Sequence, residues 1–216
     1  VVGKFKYNIE KYPFTEDVKS LYGISNLEDI HNEWPGAQTY EVLDDVETDQ
    51  LTVYHKHFYD NVGTAFYLTY KAFIEEVVAP EFFPGVPILY QAVPTFRVHQ
   101  PSNLAVAEFH RDKDYSHSEH EVNFYVPLTK ASGNNTIWAE STEGGGDFEP
   151  LEAEVGEAWV WMGSRLLHGN KLNDSGVSRV SLDFRILPKK DYEDTGLTSI
   201  TNKTKMIIGD YWEELC

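Results

Sequence analysis

Three segments between residues 96 and 186 of this chain alternate strictly between apolar and polar side chains, and that split limits what the chain can fold into. Phe96 and Val98 alternate with Arg97 and His99. Val122, Phe124 and Val126 alternate with Glu121, Asn123 and Tyr125. Val180, Leu182, Phe184 and Ile186 alternate with Arg179, Ser181, Asp183 and Arg185. A period of two sends successive side chains to opposite faces of a strand. Each segment is therefore predicted to be a strand with one apolar and one strongly polar face. Two arrangements satisfy this. The polar faces can look out to water, as in many antiparallel sheets. Alternatively they line a cavity inside a sandwich while the apolar faces pack under helices. Periodicity alone does not choose.

Seven strand-like runs are predicted in all: Ile88–Val93, Thr95–Gln100, Ala105–His110, Glu121–Leu128, Thr136–Ala139, Ala158–Met162 and Arg179–Leu187. Turn signals such as Pro101-Ser102-Asn103, Gly144-Gly145-Gly146-Asp147 and Asn173-Asp174-Ser175-Gly176 separate several of them. Many short strands without intervening helices predict an antiparallel sandwich or barrel. Upstream, Leu51, Tyr54, Phe58, Val62, Phe66, Thr69, Phe73 and Val77 recur every three or four positions and predict a helix over 50–79, with Gly63 a possible break and Pro80 its end. His55 and His57 fall there as ordinary helix residues, two apart and on different sides. The expected organisation is one domain over 1–216. Residues 1–85 are helical or irregular, 86–188 form the β core, and 189–216 form a tail.

Composition narrows the partners. With 216 residues and 41% hydrophobic side chains the chain can bury a sizeable core. Its formal net charge of −17 repels phosphate backbones and anionic lipid. A small-molecule partner is expected, with neither nucleic acid nor a membrane, and oligomeric state is unreadable. Cys216 is the single cysteine, so no internal disulfide can form. No apolar run approaches the roughly 18–20 residues that span a bilayer, and the first residues lack signal-peptide character. A cytoplasmic location is the expectation. The Asn-X-Ser/Thr triplets at Asn134, Asn173 and Asn202 read as chance matches.

The chemistry concentrates in two segments. In Phe109-His110-Arg111-Asp112, the histidine and the carboxylate are two apart and project to one side of an extended chain. In Leu167-His168-Gly169-Asn170, a second histidine arrives from elsewhere in the sandwich. Two His and one carboxylate on one face of a metal leave up to three positions open, which suits Fe(II). On the last strand Arg179 and Ser181 share the polar face. A guanidinium fork and a hydroxyl there can grip a carboxylate. A buried arginine needs an anion in any case, so an internal ion pair from Arg179 or Arg185 to Asp183 or Glu121 is the competing assignment.

The sequence His110-x-Asp112, then His168, then Arg179-x-Ser181 resembles the 2-oxoglutarate/Fe(II) oxygenases that carry a double-stranded β-helix, a jelly-roll or cupin-like sandwich. The wording of residues 109–115, 121–124, 167–170 and 179–185 resembles the phytanoyl-CoA-hydroxylase-like group, and within it a branch named for a streptomycin-biosynthesis protein. The resemblance spans about residues 86–188. It implies a dioxygenase in which His110, Asp112 and His168 bind iron. Arg179 and Ser181, with Asn170 and Arg97 as further candidates, would hold 2-oxoglutarate. Dioxygen is the second co-substrate, and hydroxylation with release of succinate and CO2 is the implied outcome. Asp112 argues against halogenases, which open that position for chloride. Asn123, Tyr125, His99 and Arg185 are candidate substrate contacts, which suggests a polar small molecule. Tyr125, Trp138, Trp159 and Trp161 are candidate cavity walls, and His117 and His120 are loop residues or substrate contacts. Two rivals remain open: a cupin-like zinc isomerase or hydrolase, and a non-catalytic small-molecule binder on the same fold.

Overall fold

In the computed structural model, the longest alternating segment becomes the longest strand, and the fold is arranged around it. The structure describes residues 3–40, 49–105, 108–115, 117–199 and 203–215. Most of the acidic run at 41–49, as well as Asn202 and Cys216, lies outside the described residues. In chain order the strands are β1 (Gly3–Lys6), β2 (Ile88–Gln91), β3 (Thr95–His99), β4 (Val122–Pro127), β5 (Ile137–Ala139), β6 (Glu149–Pro150), β7 (Glu157–Trp161), β8 (His168–Asn170), β9 (Arg179–Pro188) and β10 (Trp212–Leu215). They form two sheets, antiparallel throughout. The large sheet runs β1-β7-β4-β9-β2-β10, with β3 also on β9; the small one runs β6-β5-β8. One edge of β9 pairs with β4. Its other edge pairs first with β3 and then with β2.

The helices all precede β2: α1 (Phe14–Tyr22), α2 (Ile30–Glu33), α3 (Val53–Asn61), α4 (Thr64–Phe73) and α5 (Ala79–Phe82). The predicted helix over 50–79 is divided where Val62 and Gly63 turn extended. Pro80 does not end it. A π-helical turn, Ile74–Val78, leads into α5, and Pro80 sits in the first turn of that helix. No described helix is long and apolar enough to cross a membrane.

The apolar faces of β3, β4 and β9 pack under these helices. Phe96, Val98, Phe124, Val126, Val180, Leu182, Phe184 and Ile186 share one buried cluster with Phe14, Phe58, Phe66, Tyr70 and Phe73. Phe58 of α3 stacks on Phe96 of β3 at 4.2 Å, with ring planes 2° apart. Burial of this kind contributes roughly 1.5–3 kcal/mol per large side chain, which decides the choice that periodicity left open: the polar faces turn inward. A smaller cluster, with Tyr125, Ile137, Ala139, Leu151, Trp161 and Leu166, joins the inner face of the large sheet to the small sheet.

Both ends of the described chain extend the large sheet. β1 pairs with β7, and β10 pairs with β2. Of the segment Ala105–His110, expected as a strand, residues 106–107 lie outside the described residues, and the described ones form no strand. Ala105 lies in the left-handed region at φ 50°. Asn103 Oδ1 accepts hydrogen bonds from the Leu104 and Ala105 amides at 2.8 and 3.1 Å, a side-chain turn that competes with pairing. At the far end of the segment His110 makes an isolated bridge with His168. Asn173 is fully buried and donates to the His99 and Val177 carbonyls, so its triplet is structural.

Candidate metal centre

The isolated bridge brings the two histidines together. His110 N–H donates to His168 O at 2.9 Å, and His168 N–H donates to His110 O at 3.0 Å. Their rings lie 4.6 Å apart. Asp112 opens a short 3₁₀ turn, and its amide donates to Gly163 O at 3.0 Å. One ligand atom from each of His110, Asp112 and His168 lies within 4.8 Å of the others. Asp112 Oδ1 is 3.5 Å from His110 Nε2 and 3.6 Å from His168 Nε2.

The surroundings fix how these groups present themselves. His110 Nδ1 lies 2.8 Å from Glu108 O, and His168 Nδ1 lies 2.9 Å from Leu166 O. A carbonyl only accepts, so each Nδ1 carries the proton and each Nε2 lone pair faces Asp112 Oδ1. The other carboxylate oxygen, Oδ2, accepts from Asn123 Nδ2 at 2.7 Å and from Arg185 Nε at 2.9 Å and Nη2 at 2.8 Å. Burial alone would raise the Asp112 carboxyl. The Arg185 guanidinium reverses this and holds it well below the usual carboxylate range. Burial lowers the His168 imidazole to about 4, so it is neutral near pH 7. Two imidazoles and one carboxylate converging on one point, each oriented from behind, form a donor set that fits a divalent metal.

Strand register arranges the rest of the inner face in rows. Trp161, Asn123 and Arg185 form one row, Trp159, Tyr125, Asp183 and Thr95 the next, and Pro127, Ser181 and Arg97 a third. Arg179 faces His99 in a fourth. Arg179 is fully buried. Its Nε donates to Asn135 O at 3.0 Å and its Nη1 to Ser181 Oγ at 2.7 Å, while Nη2 has no partner. Among the described residues no carboxylate forms an ion pair with it. The Tyr125 ring lies 5.7 Å from the guanidinium carbon.

The other expected site residues divide by surroundings. Arg97, Asn123, Asn170 and Arg185 line a cleft of about 50 Å³ at the triad. Arg97 is paired with Asp183, and Arg185 with Asp112 and Glu121. Arg185 and Asn123, expected at the substrate, both hold Asp112 from behind. Asn170 donates to Thr136 O at 3.3 Å. The ring nitrogens of His99 lie against the Asn135 and Asn103 carbonyls, and His99 is not among the cleft residues. Of the four candidate wall aromatics, Trp161 lines the cleft, edge-on to His168 at 6.0 Å. Tyr125 packs behind it at 6.4 Å. Trp159 donates to Glu152 O, and Trp138 stands under the Lys171 ammonium. His117 contacts Glu121 at 2.8 Å. With His120 it lines a larger recess of about 340 Å³ that has no triad ligand in its wall. Sequence reasoning did not single out Gly163 or the pairing of Asp183 with Arg97. The signal for Asp183 was its place between Ser181 and Arg185 on the polar face.

No protein-family model matches the sequence. The solved structure of a non-heme monooxygenase, ThoJ in its apo form, aligns at a TM-score of 0.52 with 12% identity, over 91% of this chain and 78% of that one. The two share a fold, and on that fold this chain brings together three side chains, His110, Asp112 and His168, that could hold a metal ion. SnoK, described as a non-heme alpha ketoglutarate dependent carbocyclase from nogalamycin biosynthesis, aligns at 0.48 with 10% identity, over 100% of this chain and 92% of that one. The streptomycin biosynthesis protein StrG of Streptomyces griseus is 38% identical over 211 residues, which cover 97% of this chain and 96% of StrG. The chain belongs to the StrG family.

Proposed function

We propose that this protein is an Fe(II)- and 2-oxoglutarate-dependent oxygenase, one domain built on a double-stranded β-helix, that hydroxylates a polar small molecule. One observation carries the reading. A triad of two histidines and a carboxylate shares the inner face with a buried arginine that has no counter-charge and one unsatisfied N–H group. His110, Asp112 and His168 would hold Fe(II). Arg179 and Ser181 would take the far carboxylate of 2-oxoglutarate, which supplies the anion that a buried guanidinium requires. When bound, Fe(II) supplies the activation of O2 that turns 2-oxoglutarate into succinate and CO2, with one oxygen atom going to succinate and the other into a substrate C–H bond. Kinship with a streptomycin biosynthesis protein supports a natural-product intermediate as substrate.

The chain's own part is positioning. The Glu108 and Leu166 carbonyls hold both imidazoles in the ligating tautomer. Asn123 and Arg185 occupy Asp112 Oδ2 and leave Oδ1 for the metal. Tyr125 covers the guanidinium, and Trp161 and Ile137 give the cleft its apolar wall. Zinc hydrolysis has no need of a 2-oxoglutarate anchor such as Arg179 provides.

The test is calorimetric titration of 2-oxoglutarate into the Fe(II)-loaded protein without oxygen. The wild type should bind, and Arg179→Gln should bind about 100-fold more weakly, as loss of a charge-assisted hydrogen-bond pair predicts. Unchanged affinity in the variant would refute the anchor. Absence of binding in the wild type would favour the zinc hydrolase or the binder. Succinate formation in air, dependent on both Fe(II) and 2-oxoglutarate, separates the oxygenase from both.

A further inference from the structure

The cleft wall holds three more buried polar atoms without partners. Asn123 Oδ1, Trp161 Nε1 and Asp183 Oδ1 are each unsatisfied, and all three residues line the cleft at the triad. Two of them have their other polar atom already engaged. Asn123 Nδ2 donates to Asp112, which fixes the amide orientation because a carboxylate only accepts. Asp183 Oδ2 accepts from Arg97 Nε. Leaving such groups unpaired costs about 1–3 kcal/mol each, so the site is completed by something that pairs with them.

The set is two acceptors and one donor, and that mixture is selective. An ammonium only donates and leaves Trp161 Nε1 unmet. A carboxylate or phosphate only accepts and would face the Asp183 and Asn123 oxygens. A hydroxyl does both. The charges agree: Arg97 offsets Asp183 and Arg185 offsets Asp112, so the wall carries paired charges and little net field for an ionic ligand.

We infer that the substrate is a neutral, polyhydroxylated small molecule whose hydroxyl groups meet Asp183, Asn123 and Trp161 beside the metal centre. This rests on the oxygenase reading above and specifies its substrate class. The protein is loaded with Mn(II) and 2-oxoglutarate without oxygen, and four probes are added separately: myo-inositol, glucose, putrescine and methylphosphonate. Paramagnetic broadening of probe proton signals reports binding close to the triad.

Both neutral polyols should be broadened, with apparent affinities at least tenfold above those of the cation and the anion. Asp183→Asn should weaken polyol binding about tenfold, with Mn(II) affinity measured in parallel to report an intact triad. Trp161→Phe keeps the ring and loses the donor. It should weaken polyols in the same direction and decides the matter if Asp183→Asn disturbs the metal site. Stronger broadening of putrescine or methylphosphonate would overturn the inference, as would absence of polyol broadening in protein that holds Mn(II) and 2-oxoglutarate. Failure to hold Mn(II) or 2-oxoglutarate at all would instead remove the oxygenase reading.

Discussion

A Cβ placed on Gly163 would lie 2.7 Å from Asn123 Cγ and Nδ2, inside any tolerable contact. The glycine therefore lets Asn123 reach Asp112 Oδ2, while its own carbonyl accepts from the Asp112 amide. Gly163→Ala should displace Asn123 and lower Mn(II) affinity about tenfold, the scale typical of lost outer-shell support. Titration with Mn(II) checks this, and wild-type affinity in the variant would contradict it. The convergence of His110, Asp112 and His168 was legible because each sits in a short local pattern: His-x-Asp at the end of one segment, and a histidine 11 residues before Arg179. Gly163 was not legible, since its requirement arises from Asn123, a residue 40 positions earlier on a neighbouring strand. The engagement of Arg185 with Asp112 depends in the same way on a contact between elements distant in sequence.

The elements were readable to the extent that each one carried its own period. β3, β4 and β9 declared themselves by alternation, because burial on one face demands it. β8 did not. At three residues, His168–Asn170 is too short to show a period, and it exists through its pairing with β5. β1 and β10 are edge strands defined by partners more than 100 residues away. The choice between inward and outward polar faces also needed three dimensions, because it depends on the helices that cover the apolar side. The Phe58–Phe96 stack is where α3 meets β3. Both rings are fully buried, so Phe96→Ala should cost about 3–5 kcal/mol. Urea unfolding measures it; a loss below about 1 kcal/mol would mean that this contact does not hold the helices to the sheet.

At the scale of the molecule, 35 acidic residues against 18 basic ones leave the folded chain repelling itself. Raising the ionic strength shortens the reach of that repulsion. The thermal midpoint should therefore rise by about 2–4 °C for each kcal/mol recovered between low and physiological salt, and a midpoint that falls would show that the surface ion pairs outweigh the repulsion. The architecture as a whole sets a helical layer against one face of a large sheet and the triad against the other. The most direct test of that account is an anaerobic Fe(II) titration of the wild type beside His110→Ala, Asp112→Ala and His168→Ala. The wild type should bind one Fe(II) per chain and each variant should lose that site. Retention of the stoichiometric site by any of the three would contradict it.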